Sequence, residues 1–269
     1  MSGIIIQDDN RYFYTQKFLE SKNISIKTFL HEKLKPSDLS ANSNLEFILF
    51  EFKKEPDKNI FSPKFFSQLN KNTLIFSGVE NKYLKFISRH NNLFYKPIMN
   101  SNYISILNSV PTAEGIIFYL IKNLNQTISK SNILIIGYGR CGKTLADKLK
   151  KLDANVFINT LKKSDYAIAL KNKFKLVYDL NFDFMQKKID AVINTAPTKT
   201  ISDQILKAMP KNILLFDITN YGFDLNLAKE KNISSDRILS IPAKFAPKTS
   251  GEIIGKYIFK KVKQSNVKK

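Results

Sequence analysis

Several residue types are scarce in this sequence of 269 residues. It has one cysteine, Cys141, two histidines, His31 and His90, and no tryptophan. A single cysteine excludes an internal disulfide framework, and the cysteine and two histidines together are too few for a structural zinc site. We therefore predict no metal site, and we expect both histidines to be surface residues or hydrogen-bonded core residues.

Long apolar runs are also missing, although 43% of the residues are hydrophobic. No uninterrupted run approaches the roughly 20 residues that a membrane-spanning helix needs. The first ten residues, MSGIIIQDDN, lack the basic region and the long apolar stretch of a signal peptide. We therefore expect a cytoplasmic protein with a packed core and no membrane partner.

Arginine is rare, even though the chain is strongly basic. There are 43 lysines and arginines against 23 acidic residues, which gives a net charge of +20. The arginines are few: Arg11, Arg89, Arg140 and Arg237. Nucleic-acid surfaces favour arginine for bidentate and stacking contacts. We therefore interpret the lysines as a solvated surface and predict no nucleic-acid partner, although the field would attract an anionic ligand.

Short β-type runs alternate with helical ones along the chain, a pattern typical of parallel βαβ units. The predicted strands cover residues 3–7, 23–29, 45–52, 72–77, 132–136, 155–159, 174–178, 191–195, 213–217 and 238–241. We predict an α/β protein with two Rossmann-like doubly wound domains. The first is an α/β domain at 1–110, and the second is a dinucleotide-binding domain at 111–248. Residues 249–269 form a helix that returns to the first domain, with a basic tail.

A linking helix is predicted at 111–124, within the second domain. The segment VPTAEG has proline in a position that suits a first helical turn, and Glu114 suits the positive end of the helix dipole. Apolar residues then recur at helical spacing as far as Leu124. This helix is expected to cross from the first domain into the second.

Two phosphate-binding motifs overlap in the segment ILIIGYGRCGKT. Gly137, Gly139 and Gly142 have the spacing of the dinucleotide fingerprint, but Gly142 followed by Lys143 and Thr144 also completes a P-loop. Asp217, which follows a later apolar strand, could then hold a magnesium ion. The length from strand to strand, about 30 residues, favours the dinucleotide, but spacing alone leaves the P-loop open.

The end of the second strand of this unit predicts which dinucleotide is bound. NAD sites place an acidic residue there, on the ribose 2′-hydroxyl, whereas here no acid precedes Lys162, Lys163 and Ser164. These residues would suit a 2′-phosphate, so NADP is predicted ahead of NAD, although the two lysines could belong to the general excess. The full set of predicted cofactor-binding residues is Gly137, Gly139, Arg140, Cys141, Gly142, Lys162, Lys163, Ser164, Thr195, Ala196 and Pro197.

Five segments resemble a known family over nearly the whole chain and in the same order. They are NTLIFSGVENKYL, ISILNSVPTAEGIIF, NILIIGYGRCGKTLADKLKKLDANV, INTAP and IPAKFAPKTSGEIIG. They are similar to the A subunits of dipicolinate synthase. The resemblance implies that the P-loop spelling is accidental. It further implies an NADP-linked oxidoreductase that forms pyridine-2,6-dicarboxylate from a dihydrodipicolinate-type precursor during sporulation, in the mother-cell cytoplasm.

The resemblance also implies partners and leaves alternatives. A homo-oligomer is expected, together with the flavoprotein-like B subunit of dipicolinate synthase. The alternatives are a related two-domain NAD(P) dehydrogenase of another small acid, or a non-catalytic dinucleotide-binding subunit that scaffolds or regulates its partner. The second alternative rests on departures from the family pattern in the first domain, at Gln7-Asp8-Asp9 and at Met99–Asn102.

A dicarboxylate substrate needs cations or clustered N–H donors. The predicted substrate-binding residues are Ser77, Gly78, Asn108, Ser109, Thr112, Thr249 and Ser250. Most of them lie near expected helix N-termini, where ordinary capping is the alternative role. Glu114, in the segment NSVPTAEG, and Lys248, in the segment APKTSGEI, are both predicted as catalytic. Glu114 is the candidate proton acceptor, with a first-turn dipole contact as its alternative role.

Overall fold

Two parallel sheets organise the chain in a computed structural model that describes residues 1–30, 45–51, 55–178, 180 and 188–266. One compact unit contains Met1–Asn108 and Ala246–Lys269, and the other contains Ser109–Phe245. We refer to them as the first and second units. The predicted limits at 110 and 248 lie within three residues of these divisions. The predicted histidine position His31 and the end of the predicted strand 45–52 lie outside the described residues.

The first unit has a parallel sheet in which the described strands follow the order β2-β1-β3-β4-β5. Its strands are β1 Ser2–Gln7, β2 Ser25–Leu30, β3 Phe47–Leu49, β4 Leu74–Ser77 and β5 Phe94–Pro97. Its helices are α1 Asn10–Glu20, α2 Pro63–Ser67, α3 Lys82–His90 and α10 Pro247–Asn266, with a short 3₁₀ turn at Ile98–Asn100. The order is that of flavodoxin-like doubly wound sheets.

The second unit has a parallel sheet in which the described strands follow the order β11-β10-β9-β6-β7-β8. Its strands are β6 Asn132–Ile136, β7 Asn155–Asn159, β8 Lys175–Leu176, β9 Ala191–Asn194, β10 Leu214–Asp217 and β11 Ser234–Arg237. Its helices are α5 Arg140–Lys151, α6 Lys163–Lys171, α7 Asp203–Ala208, α8 Leu225–Glu230 and α9 Ile241–Phe245. This is the strand order of the dinucleotide-binding Rossmann fold, so the predicted fold class is confirmed.

Both sheets are covered on their two faces, because alternate residues of a strand point to opposite sides. In β6, Ile133 and Ile135 enter one buried cluster, while Leu134 and Ile136 enter another. Such double coverage explains why the central strands are continuous apolar runs rather than alternating ones.

The last helix belongs to the first unit, as the sequence predicts. Gly251 of α10 packs against α1 so closely that an added Cβ would lie 2.4 Å from the carbonyl oxygen of Arg11. The hydroxyl of Thr15 also donates a hydrogen bond to the carbonyl of Gly251, at 3.0 Å. The helix therefore returns to α1 and is held there by backbone-to-backbone proximity.

The linking helix, α4, spans Asn102–Asn123, so its predicted start at Pro111 is wrong. Its buried stripe begins about two turns before the proline. Ile104 is buried in the core of the first unit, and Ala113 and Ile116 are buried in the core of the second. Burial of this stripe offsets the roughly 3 kcal/mol that an interior proline costs. The proline is therefore inside the helix instead of at its first turn.

One further element differs from the prediction. The predicted strand 238–241 is replaced by β11 at 234–237, followed by α9. Strand β11 has the polar sequence SSDR and lies at the edge of its sheet. It is held by its backbone pairing with β10 and carries almost no apolar signal.

Helix α4 is, by length and composition, apolar enough to cross a membrane. Half of its most apolar window is buried within the protein. A core helix of a soluble protein meets the same criteria, so this feature is weak support for a membrane span.

Candidate functional site

The carboxyl ends of the strands in the second unit carry a row of polar side chains. In the strand registers, Asn159 pairs with Ile136, Ile136 with Asn194, Asn194 with Asp217, and Asp217 with Arg237. Four of these five positions are therefore polar at one edge of the sheet. Ligands of open α/β sheets bind beyond this edge.

The glycine turn joins β6 to α5 at the centre of this edge. Gly137 has a φ of +94°, a conformation that favours glycine, and its N–H donates to the carbonyl of Asn159 at 2.8 Å. A Cβ at Gly142 would lie 2.1 Å from the carbonyl oxygen of Gly137. The first and third glycines are therefore required by the tightness of the turn itself.

Gly139 has a different role from its two neighbours. It is exposed, it precedes the first residue of α5, and a Cβ there would meet no atom of the described residues within 4 Å. The open space lies at the N-terminus of a twelve-residue helix, where backbone N–H groups and the helix dipole favour an anion. The exposed Arg140 follows directly. These features fit the pyrophosphate of a dinucleotide.

The P-loop alternative does not fit this geometry. Residues 140–142 are already helical and do not form an extended loop around a phosphate. The Nζ of Lys143 lies 2.9 Å from a carboxylate oxygen of Asp165, and the hydroxyl of Thr144 donates to the carbonyl of Arg140 at 3.0 Å. Neither side chain is directed at a phosphate position. The overlap of the two motifs in the sequence is therefore coincidental.

Cys141 lies in the first turn of α5 and is partly buried. Burial raises the pKa of its thiol, and the opposing effect of the nearby Arg140 charge is smaller. The thiol is therefore held in its neutral form, which suits packing rather than nucleophilic chemistry.

The residues predicted for a 2′-phosphate lie where β7 meets α6. Lys162 precedes the first residue of α6, Lys163 and Ser164 begin the helix, and all three are exposed. The last residue of β7 is Asn159, whose amide donates to the carbonyl of Val177 at 2.9 Å. The position where NAD sites carry an acid therefore holds a neutral side chain that has a structural partner.

Thr195 holds the glycine turn from the neighbouring strand. Its hydroxyl lies 3.1 Å from the carbonyl oxygens of both Ile136 and Gly137. Ala196 and Pro197 follow it in the loop after β9, where Ala196 is half-buried and Pro197 is exposed. Thr195 is thus a support for the turn, and the next two residues lie at the edge where a cofactor is expected.

A buried polar network, which the sequence did not identify as part of the site, lies beside this loop. The side chain of Asp217 is fully buried. Its Oδ1 accepts hydrogen bonds from the amide of Asn194 at 2.8 Å and the hydroxyl of Thr219 at 2.7 Å. Its Oδ2 accepts from the N–H of Gly222 at 3.1 Å and lies 3.4 Å from Nε of Arg237. The sequence signal was present, since Asn194 and Asp217 each end an apolar strand.

Some predicted substrate residues lie together in the first unit. Ser77 ends β4, and its hydroxyl lies 2.7 Å from both the carbonyl of Val79 and the hydroxyl of Tyr95. The carbonyl of Gly78 accepts from the N–H of Met99, whose sulfur is 4.0 Å from the amide nitrogen of Asn108. Ser77, Gly78 and Asn108 thus gather near the carboxyl end of β4.

The predicted residues of the last helix also lie in the first unit. Lys248, Thr249 and Ser250 are in the first turn of α10, where Ser250 is fully buried and the other two are exposed. Lys248 lines a cavity of about 380 Å³ with residues of α1 and with Glu252.

The predicted residues of α4 are inside that helix rather than at its start. Ser109 and Thr112 are buried, and Ser109 shares a 2.6 Å hydrogen bond with the hydroxyl of Thr144. Glu114 is exposed and lies 2.9 Å from the Nζ of Lys148. A helix N-terminus at Ser109 and Thr112, and a first-turn dipole role for Glu114, are therefore wrong.

The second unit matches a known family model. Residues 119–219 match the model described as the NAD binding domain of the D-isomer specific 2-hydroxyacid dehydrogenases. This match covers the glycine turn, both lysines of the β7–α6 connection and the end of β10. The chain therefore carries an NAD(P)-binding domain.

The chain is also similar to the A subunit of dipicolinate synthase. It is 30% identical over 191 residues to that protein of Bacillus subtilis, an alignment that covers 70% of this chain and 64% of the relative. The chain thus aligns with slightly less than two thirds of the relative's length.

Solved structures share the fold over nearly the whole chain. The dipicolinate synthase structure from Bacillus subtilis has a TM-score of 0.88 at 21% identity, covering 100% of this chain and 98% of that one. The corresponding protein from Bacillus halodurans has a TM-score of 0.83 at 21% identity, covering 97% of each chain. An NAD-complexed D-isomer specific 2-hydroxyacid dehydrogenase from Lactobacillus delbrueckii has a TM-score of 0.67 at 12% identity, covering 98% and 97%. These structures show that the fold is shared, and the alignment with the Bacillus subtilis protein confirms the resemblance to the A subunits of dipicolinate synthase.

Proposed function

We propose that this chain is the NADP-linked oxidoreductase subunit of a dipicolinate synthase. The observation that carries the proposal is the glycine turn, with its open position at Gly139, in a chain similar to the A subunit of that enzyme. The reaction converts a dihydrodipicolinate-type ring to pyridine-2,6-dicarboxylate in the mother cell of a spore-forming bacterium.

The redox balance of this reaction requires a two-electron acceptor. Aromatisation of the dihydro ring removes one hydride and one proton, and NADP⁺, when bound at the glycine turn, would supply the hydride acceptor. The proton leaves to a base or to water. In this proposal Glu114, which is exposed and paired with Lys148, is the candidate proton acceptor, and Lys248 is the candidate cation for a substrate carboxylate.

The choice of NADP rests on the connection between β7 and α6. Two lysines and a serine are exposed at the start of a nine-residue helix, and the strand ends in Asn159 instead of an acid. A 2′-phosphate would meet cations and backbone N–H groups there, whereas a 2′-hydroxyl would lack its usual carboxylate partner. We expect NADPH to bind more tightly than NADH.

Charge reversal tests the choice of cofactor. The double variant Lys162→Glu, Lys163→Glu should lose most of its NADPH affinity and retain or gain NADH affinity, as measured by nicotinamide fluorescence. Lys229→Glu is a matched exposed change on α8 of the same unit and should alter neither affinity. Equal affinity of the unmodified chain for NADH and NADPH would contradict the assignment.

The reaction itself is tested with the partner protein present. The purified chain and the flavoprotein-like B subunit should together convert freshly generated dihydrodipicolinate and NADP⁺ to a product with the ultraviolet absorbance of pyridine dicarboxylate. Gly139→Asp should abolish this conversion, since it places a carboxylate where the pyrophosphate is expected. No product from the unmodified chain with its partner would contradict the proposal. Omission of the partner shows whether it is required, and gel filtration of the purified chain tests the expected homo-oligomer.

A second candidate function follows from the family model matched by residues 119–219. It is the NAD(P)-dependent oxidation of a small 2-hydroxy acid instead of a dihydrodipicolinate-type ring. Turnover of D-lactate or a longer 2-hydroxy acid, without dipicolinate formation, would favour it.

A further inference from the structure

We propose that Asp217 and Asn194 form a positioning device for the nicotinamide half of the bound cofactor. The inference rests on the proposed dinucleotide binding but not on the identity of the substrate. It concerns two buried residues that the predicted site does not include.

The strand order decides which half of a dinucleotide lies near these residues. The dinucleotide of a Rossmann sheet crosses the point where the strand order reverses, here between β6 and β9. Its pyrophosphate lies at the glycine turn after β6, and its adenosine ribose lies beyond the end of β7. The other half must therefore extend over the ends of β9 and β10, where Asn194 and Asp217 lie side by side in register.

The network fixes both loops that leave this edge. Asn194 accepts from the N–H of Ala196 at 3.2 Å and from the hydroxyl of Thr200 at 3.0 Å, which holds the loop after β9. Asp217 accepts from the N–H groups of Thr219 and Gly222 at 2.9 and 3.1 Å, which holds the loop after β10.

The two loops are also joined to each other through the network. The amide of Asn194 donates to Asp217 at 2.8 Å, and the N–H groups of residues 200 and 201 both donate to the carbonyl of Gly222 at 3.0 Å. A Cβ at Gly222 would lie 2.3 Å from the amide nitrogen of Asn194. The loops are therefore packed in one arrangement that any change at Asp217 would disturb.

The hydrogen bonds to the Asp217 carboxylate indicate that it holds the two loops in place rather than binding a metal ion. Its two oxygens accept four hydrogen bonds from the chain, from Asn194, Thr219 and Gly222, in addition to the contact with Arg237. Arg237 is itself tied to the carbonyl of Phe223 at 3.1 Å. A carboxylate with this many donors is fixed in place and cannot rotate toward a ligand, so its effect on the cofactor is through the loop backbone.

The test compares a whole cofactor with a fragment that lacks nicotinamide. Isothermal titration of the full chain measures its affinity for NADPH, which contacts the whole cofactor site, and for 2′-phospho-ADP-ribose, which lacks the nicotinamide ring. Asp217→Asn should weaken NADPH binding by about tenfold or more, because one amide oxygen cannot replace two carboxylate oxygens. It should leave the affinity for 2′-phospho-ADP-ribose within about twofold. Lys162→Ala with Lys163→Ala should weaken both ligands alike, since both contain the 2′-phosphate.

A milder variant keeps the test decisive if Asp217→Asn fails to fold. Thr200→Val removes one hydrogen bond to Asn194 at constant volume and should show the same preference with a smaller loss. Equal loss of both ligands, or no loss of either, in a folded variant would overturn the inference. Failure of the unmodified chain to bind either ligand would instead overturn the proposed function.

Discussion

Gly142 and Gly139 differ in what surrounds them, so an added methyl group should destabilise the fold at Gly142 and leave its stability unchanged at Gly139. Gly142→Ala places a Cβ 2.1 Å from a carbonyl oxygen of the same turn, whereas Gly139→Ala enters open space. We expect Gly142→Ala to destabilise the fold by about 1–3 kcal/mol and to lose cofactor binding. Gly139→Ala should keep the melting temperature of the unmodified chain. Thermal unfolding of both variants measures this, and equal melting temperatures would show that the turn is looser than described.

Cys141 is expected to be an unreactive thiol. Burial raises its pKa above the ordinary value for cysteine, so the reactive thiolate is scarcer at neutral pH than it is for a free thiol. Alkylation by iodoacetamide at neutral pH should therefore be slower than that of glutathione, and it should accelerate as the pH rises. A rate at neutral pH equal to or above that of glutathione would contradict the neutral, packed role.

At the scale of single residues, the features that could be predicted from the sequence are those that depend on local backbone conformation. The first and third glycines of the turn follow from spacing, because only glycine satisfies the positive φ at Gly137 and the close approach at Gly142. The network of Asn194 and Asp217 was missed, since it depends on three strands brought together by the sheet order. The sequence shows each residue at a strand end but not the register that makes them neighbours.

Helices α1 and α10 form the contact that joins the two ends of the chain into one unit. Gly251 allows this contact, because a Cβ there would lie 2.4 Å from the carbonyl oxygen of Arg11 and 2.7 Å from the Cβ of Tyr14. Gly251→Ala should lower the free energy of unfolding by about 1–3 kcal/mol. Lys260→Ala on the exposed face of α10 should change it by less than about 0.5 kcal/mol.

Denaturant unfolding of the two variants decides this prediction. An unchanged midpoint for Gly251→Ala would mean that α10 does not pack on α1 as described. The expected loss belongs to the first unit, so the affinity of the second unit for NADPH should not change in the variant.

At the scale of elements, strongly apolar segments were predicted well and polar or proline-containing ones poorly. The central strands and the return helix have continuous apolar faces, which determine their type. Helix α4 was placed too late because Pro111 is a local signal for a helix start, while the burial of Ile104 is a tertiary effect. Strand β11 was misplaced because its polar residues are held by pairing with β10 rather than by burial.

The net charge of +20 affects ligand binding by the whole molecule. Positive potential attracts anions and is screened by salt, since the Debye length falls from about 10 Å at 0.1 M to about 3 Å at 1 M. NADPH carries a 2′-phosphate that NADH lacks, so its affinity should fall more steeply with added sodium chloride. Equal salt dependence for the two cofactors would indicate that the 2′-phosphate meets no cations.

The most direct measurement of the central claim is a parallel titration of the purified chain with NADPH, NADH and ATP. Nicotinamide fluorescence and thermal shift would report binding, with Gly139→Asp and Lys143→Ala as variants. We predict tight NADPH binding that is lost in Gly139→Asp and kept in Lys143→Ala, with no response to ATP. Magnesium-dependent ATP binding that is lost in Lys143→Ala would contradict the dinucleotide site and the oxidoreductase function proposed from it.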